Sequence, residues 1–188
     1  MTLSESIGNV FTDADFPELI GGYFEDCTFQ KCKFIGSAIR NSRFVECRFV
    51  CCDLSVSTLT GSSFRNVTFT DCKAVGVNWS LSSGIHSGSF LQCKLNDCTF
   101  TQLDLRNTVF KECNLENADF RESRLEKVNF SGSSLSGAQF NRTNLVDADF
   151  SEARNYHFNP RDNKLKNTKV SMPEAIGLLE VMGAKLIQ

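Results

Sequence analysis

Nine cysteines are the residues of this chain best suited to chemistry, because a thiolate can act as a nucleophile, a metal ligand or a disulfide partner. Eight share one position, two residues before a large apolar residue: Cys27, Cys32, Cys47, Cys52, Cys72, Cys93, Cys98 and Cys113. Elsewhere this position holds Ser, Ala, Thr, Val or Gly, so we interpret these cysteines as small buried side chains. The odd count, and a start of the chain that does not resemble an export signal, predict free thiols, with Cys51 the most exposed.

The other candidates for catalysis or metal binding are two histidines, His86 and His157, and some closely spaced acidic residues. The acidic pairs are Glu112/Glu116, Glu122/Glu126 and Asp147/Asp149. General acid–base catalysis needs two such groups in a cleft or beside a histidine, whereas these pairs fall on the polar positions of successive repeats. We therefore predict solvated surface charge, no enzymatic activity, no metal site and no cofactor.

The positions of these residues follow a repeat of five residues along the sequence. Large apolar residues recur at every fifth position from Phe24 to Phe150, with one extra residue between Trp79 and Ile85. That period fits neither an amphipathic helix nor an alternating strand, and it is typical of a repeat solenoid. One pentad is too short to close a loop, so several must form each coil, with successive coils paired as parallel strands about 4.8 Å apart. Alternating Phe and Leu from Phe90 onward indicates an even number of sides.

Two of the pentads illustrate the repeat: Ala118-Asp119-Phe120-Arg121-Glu122 and Ala148-Asp149-Phe150-Ser151-Glu152. They resemble the small-Asp/Asn-Leu/Phe-x-x motif of pentapeptide-repeat proteins, and the resemblance implies an all-β solenoid, a right-handed quadrilateral parallel β-helix with four pentads per coil. With one extra residue allowed at 80–82, one core column contains only phenylalanine: Phe29, Phe49, Phe69, Phe90, Phe110, Phe130 and Phe150. Another column contains five stacked cysteines: Cys32, Cys52, Cys72, Cys93 and Cys113.

The chain divides into an N-terminal cap segment (1–21), the repeat β-helix (22–154, interrupted near 80–85) and a C-terminal cap with a helix (155–188). The stretch from Ser171 to Glu174 has capping-box spacing, and Gly183 ends the apolar stripe that follows it. The alternatives for this stripe are a plug on the end of the rod and a two-fold dimer interface. We favour the dimer interface, formed by Met172, Ile176, Leu178, Leu179, Val181, Met182 and Leu186.

The interruption of the repeat is a second candidate for function. Irregularities in a regular ladder are often tolerated insertions, but they also gather at working sites. The candidate partner-binding residues are Ser80, Leu81, Ser82, Ser83, Gly84 and His86.

The tail carries a narrower resemblance. The residues 158–165 and 170–179, with Met182-Gly183, are similar to the end of the topoisomerase-protecting pentapeptide-repeat proteins, which include the Qnr quinolone-resistance and microcin-immunity types. The resemblance implies a homodimer that engages DNA gyrase or topoisomerase IV as a DNA-shaped rod and protects it from quinolones or a peptide toxin. A cytoplasmic location is predicted separately, from a start of the chain unlike an export signal and from the lack of a membrane-spanning stretch. The alternative is a scaffold or regulatory protein with a different protein partner.

Charge and hydropathy exclude two other classes. The formal net charge of -2 does not suit a protein that binds nucleic acid directly through a basic surface. No stretch approaches the roughly 18 consecutive apolar residues of a membrane span. We therefore expect neither direct nucleic-acid binding nor a membrane partner.

Overall fold

Each five-residue unit forms one flat side and one corner of a coil. In the computed structural model, which describes residues 5–185, the central residue and the small residue two positions before it point inward. The residue two positions after the centre takes a left-handed conformation at the corner, as at Asn66 and Asp71, where φ is 53°. Asn, Asp and Gly adopt this conformation at little cost, which explains their frequency at the corners.

The sides are short, so the strands of the described residues span three residues each. They are β1 (Glu5–Ile7), β2 (Val10–Thr12), β3 (Glu18–Ile20), β4 (Tyr23–Glu25), β5 (Thr28–Gln30), β6 (Ala38–Arg40), β7 (Arg43–Val45), β8 (Arg48–Val50), β9 (Ser63–Arg65), β10 (Thr68–Thr70), β11 (Gly84–His86), β12 (Ser89–Leu91) and β13 (Val109–Lys111). A 3-10 turn at Trp79–Leu81 and the helix α1 at Glu174–Val181 complete the elements.

Every strand pairing in the described range is parallel, and the strands stack in the order β1-β4-β7-β9-β11, β2-β5-β8-β10-β12-β13 and β3-β6. Beyond β13 the ladder continues as single bridges, for example Val109 to Asn129 and Asn129 to Asp149. Phe29 pairs with Phe49, and Phe49 with Phe69. The chain therefore returns to the same face after twenty residues, as predicted. The predicted fold class, a quadrilateral parallel β-helix with a C-terminal helix, is confirmed.

The phenylalanine column forms the centre of the core. Its rings stack at centroid distances of 4.7 Å between Phe29 and Phe49 and 4.8 Å between Phe49 and Phe69. Across the interior, Phe100 and Phe110 meet edge to face at 5.5 Å. Each buried Phe contributes on the order of 1.5–3 kcal/mol, so the column is the main stabilising element of the rod.

The interruption inserts one residue without breaking the ladder. Phe44 pairs with Phe64 twenty residues on, but Phe64 pairs with Ile85 and Phe69 with Phe90, one residue further. The 3-10 turn at Trp79–Leu81 takes up the extra residue. The predicted position and length of the slip are therefore correct.

The N-terminal segment contributes a coil of its own. Ser6 pairs with Phe24, Phe11 with Phe29 and Leu19 with Ile39, so the ladder begins before residue 22, within the range 1–21 that we assigned to a cap. This coil could not be recognised from the five-residue pattern, because Phe16 and Leu19 are three residues apart, with Pro17 between them. Residues 1–4 lie outside the described range.

The ladder also continues beyond residue 154, with bridges from Asn144 to Lys164 and from Asp149 to Lys169. The predicted capping box is wrong, because Pro173 is the N-cap residue and makes no side-chain cap hydrogen bond. The Ser171 hydroxyl instead donates to the Phe150 carbonyl at 3.4 Å, and the Glu174 carboxylate accepts from the Asn155 amide at 3.1 Å. Gly183, with φ at 90°, ends the helix as predicted.

Candidate interaction surfaces

The cysteines are placed as predicted: all nine are free thiols, the eight at the small position are buried, and Cys51 is exposed. The Cys47 Sγ donates to the Phe24 carbonyl at 3.4 Å, inside the coil. Burial raises the pKa of Cys47 to about 11 and that of Cys98 to about 12. A neutral buried thiol is a poor nucleophile, so these residues serve packing.

The acidic pairs bond to neighbouring coils. Glu112 accepts from the Gln92 side-chain amide at 3.1 Å, Glu116 from Asn96 at 3.3 Å and Glu122 from Gln102 at 3.0 Å. In each case the two residues are one coil apart, so the carboxylate connects successive coils, and Glu112 and Glu122 do so at corners. Among residues 5–185, no group of three His, Cys, Asp or Glu side chains could hold a metal ion.

Aspartates that precede a core residue bond along their own strand. Arg106 donates to both carboxylate oxygens of Asp104, at 2.8 and 2.7 Å, and this holds the pKa of Asp104 below its usual range. At Asp119, burial alone would raise the pKa, but hydrogen bonds from Arg121 lower it overall. The two arginines are about half exposed and the two carboxylates less so, and we assign both carboxylates a structural role.

The structure brings the six interruption residues together at one corner of the rod. Three hydroxyls there bond within the chain: Ser80 to Thr101 at 2.9 Å, Ser82 to Trp79 at 2.6 Å and Ser83 to Gly61 at 3.1 Å.

What remains available at this corner is Leu81, 48% exposed, and the exposed His86. A Cβ placed on Gly84 would lie 2.9 Å from the Nε2 of His86, so glycine allows the imidazole to fold over the backbone. The chain turns here without projecting a loop. The interruption offers a small apolar and imidazole contact.

The C-terminal end exposes more apolar surface. Leu178 of α1 is buried against the last coil, whereas Met172, Leu179 and Met182 are 68%, 44% and 53% exposed. Ile176 and Val181 are half-buried, and Leu186 lies outside the described residues. A groove of about 240 Å³ runs between helix and coil, lined by Phe158, Pro160, Leu165, Val170, Leu178 and Met182 among others.

Sequence reasoning missed Val170 at this surface. It pairs in register with the phenylalanine column, since Asp149 bridges to Lys169, yet it is 42% exposed. The pentad position indicated a core residue, but the last coil has no further coil to cover it. Tyr156 and Phe158, both buried, fill the interior at this end instead.

The repeated pentads and the coil they build define a solenoid of the pentapeptide-repeat class. The family described as the pentapeptide repeat region matches residues 23–90 and 85–150, and the chain belongs to this family. No curated protein matches the sequence.

A solved structure shares the fold. A trypsin-treated form of QnrB1, a plasmid-mediated fluoroquinolone resistance protein, aligns with a TM-score of 0.65 at 19% identity, over 97% of this chain and 100% of that one. HetL, a pentapeptide-repeat protein involved in heterocyst differentiation regulation in Nostoc sp. strain PCC 7120, aligns with a TM-score of 0.49 at 15% identity, over 89% of this chain and 87% of that one. Within residues 5–185, no helix has the length and apolar character needed to cross a membrane.

Proposed function

We propose that this protein is a non-enzymatic homodimer that binds bacterial DNA gyrase or topoisomerase IV and protects it from a quinolone or a peptide toxin. The observation that carries the proposal is the C-terminal end, where the tail that resembles the topoisomerase-protecting members presents exposed Met172, Leu179 and Met182 beside an apolar groove. The likeness to QnrB1 supports it further, because it spans nearly the whole of both chains.

Dimerisation follows from the same surface. An exposed apolar patch at the end of a rod is stabilised when a second copy covers it, and a two-fold axis would bring identical helices together. Two rods joined at their C-terminal ends would double the length of the particle. The product is a long, narrow rod of the kind that can occupy a groove built for duplex DNA.

The charge of the rod resembles that of DNA at one corner only. Acidic and basic side chains are about equally numerous on each of the four faces, so no whole face reproduces the phosphate charge of DNA. One corner is rich in acid, since Asp13, Asp71, Glu112 and Glu152 occupy the same corner position and Lys31 is its one basic residue within the described range. We propose that this corner faces the cationic side chains of the topoisomerase.

The test is supercoiling by purified DNA gyrase with a quinolone present. We expect added protein to restore supercoiling at quinolone concentrations that otherwise stop it. The variant Glu112→Lys/Glu152→Lys should restore less, and Glu18→Lys, at the other end of the rod, serves as the matched control. Neither rescue nor inhibition at micromolar protein would remove the proposal.

A second function, a scaffold or regulator for another protein, is favoured by one observation. The side that carries Thr58, Thr60, Asn78, Thr99 and Thr101 has no charged residue between Arg40 and Asp119, and interface centres are depleted in charge. Affinity capture with wild type and with Thr60→Glu/Thr101→Glu separates the two. A partner other than a topoisomerase, lost in this variant alone, would support the scaffold.

A further inference from the structure

The opposite end of the rod carries an open sheet edge. The strands β1, β2 and β3 each stand at the end of their stack and pair on one side only among the described residues. In the next coil, Thr28 donates its amide back to Asn9, Lys33 to Ala14 and Ala38 to Pro17. The equivalent amides of the first coil, those of Val10, Asp15 and Glu18, therefore point toward the open end.

Carbonyl groups alternate with these amides. Gly8 donates to Glu25, Asp13 to Gln30 and Gly21 to Arg40, so these carbonyls of the second coil point back toward the first. By the same geometry the carbonyls of Ile7, Thr12 and Ile20 point toward the open end. The amide of Val10 and the carbonyl of Thr12 thus offer one donor and one acceptor on β2, the pattern that an added strand pairs with.

The interior of this coil is also open. The Phe11 ring stacks on Phe29 at 4.9 Å on one side and is only partly buried. Ile7, Val10 and Ile20 at the rim are 59%, 66% and 50% exposed. An added strand with an apolar residue facing inward would continue the phenylalanine column.

The charge of the open edge indicates which kind of segment it would bind. The exposed rim residues Glu5, Asp13, Asp15 and Glu18 are all acidic, and the sequence has no Lys, Arg or His before Lys31. A second copy docked head to head would place these carboxylates against the same carboxylates, which disfavours self-association. A segment rich in Lys or Arg is the complementary partner.

We propose that the first coil is a strand-addition site for an extended protein segment that alternates apolar and basic residues. The segment pairs with β2 through Val10 and Thr12, places apolar side chains on Phe11, and places basic side chains beside Asp13 and Asp15. This site lies at the other end of the rod from the proposed dimer surface and does not depend on it.

The probe is a fluorescein-labelled Lys-Val-Lys-Val-Lys-Val peptide, titrated with the full-length protein by fluorescence anisotropy. We expect saturable binding that weakens with added salt, and no binding of the Glu-Val-Glu-Val-Glu-Val peptide. Hydrogen exchange at the Val10 amide should slow when the basic peptide is bound.

Two variants test separately the backbone hydrogen bond and the charge of the rim. Val10→Pro removes a donor that the coil does not use, and Glu5→Lys/Glu18→Lys reverses charge at the rim; each should weaken binding by roughly fivefold or more. The matched control, Glu116→Lys/Glu122→Lys at exposed positions far from the first coil, should bind as wild type does. Absence of binding to the full-length wild type would overturn the proposal, as would equal affinity of Val10→Pro, of the rim variant and of the control.

Discussion

At the scale of single residues, position in the pentad decides chemistry. A cysteine two residues before a core residue is enclosed by the coil, as at Cys47 and Cys98, whereas Cys51 at a corner is exposed. The same amino acid is a packing residue in one position and an exposed thiol in the other. The repeat therefore predicts reactivity residue by residue.

Thiol titration of the native protein at pH 8 should show one fast-reacting cysteine, Cys51, because the other eight are buried. Cys51→Ser should abolish the fast phase. Five or more fast thiols would contradict the buried positions.

Alkaline pH should destabilise the fold. Burial raises the pKa of Cys47 from 9.0 to about 11 and that of Cys98 from 9.0 to about 12. Below pH 9 these thiols are neutral in both states, and above it the unfolded chain ionises first, so the free energy of unfolding falls as pH rises. The midpoint of thermal unfolding, followed from pH 8 to 11, measures this. A midpoint that stays constant over this range would be evidence against buried thiols.

Acid should act through the aspartates. Hydrogen bonds from Arg106 lower the pKa of Asp104 from 3.8, and those from Arg121 outweigh the burial of Asp119 and lower its pKa from 3.8. Their stabilisation is complete above about pH 5 and is lost as pH falls through the lowered pKa values. Thermal unfolding midpoints should be equal at pH 7 and 5 and lower at pH 3, with a smaller loss in Asp104→Asn/Asp119→Asn. An equal loss in this variant would show that other groups are responsible.

At the scale of elements, the corners are where sequence and backbone conformation disagree most. Val56 is β-branched and 61% exposed, yet its φ is 51°. Such a residue is strained in the left-handed region, by about 1–2 kcal/mol.

Val56→Asn should raise the unfolding midpoint by a few degrees, because asparagine tolerates this conformation. Val75→Asn is the matched control, since Val75 lies at a neighbouring surface position outside the left-handed region. A lower midpoint for Val56→Asn than for the control would argue against corner strain.

The elements also show what the sequence could predict. The columns and the slip were predictable because each coil repeats the same inward positions, so the register of Phe69 on Phe90 follows from counting. The first coil was not predictable, because Phe16 and Leu19 are three residues apart rather than five, which breaks the period that reveals the other coils. The capping box failed because Ser171 and Glu174 bond to Phe150 and Asn155 rather than to each other's backbone.

At the scale of the whole molecule, the two ends of the rod differ. The C-terminal end is apolar at Met172, Leu179 and Met182, and the N-terminal end is acidic with an open edge. The pentads predicted the rod but neither end, since an end is defined by the coil that is missing. Function is therefore to be sought at the ends and at the acidic corner.

The proposed dimer would form through the C-terminal patch. Leu179→Asp/Met182→Asp should shift the mass measured by light scattering from that of two chains to that of one. The matched control is Leu81→Asp, an exposed leucine at the interruption, which should remain dimeric. A monomeric wild type would contradict the proposed dimer.

The proposed role as a DNA-shaped ligand of gyrase is tested most directly by binding of the protein to purified DNA gyrase in competition with linear duplex DNA. We expect saturable binding that DNA displaces, and weaker binding by Glu112→Lys/Glu152→Lys, because the rod and the duplex would compete for one groove. Binding that DNA leaves unchanged, or no binding at all, would contradict a DNA-shaped ligand of the topoisomerase.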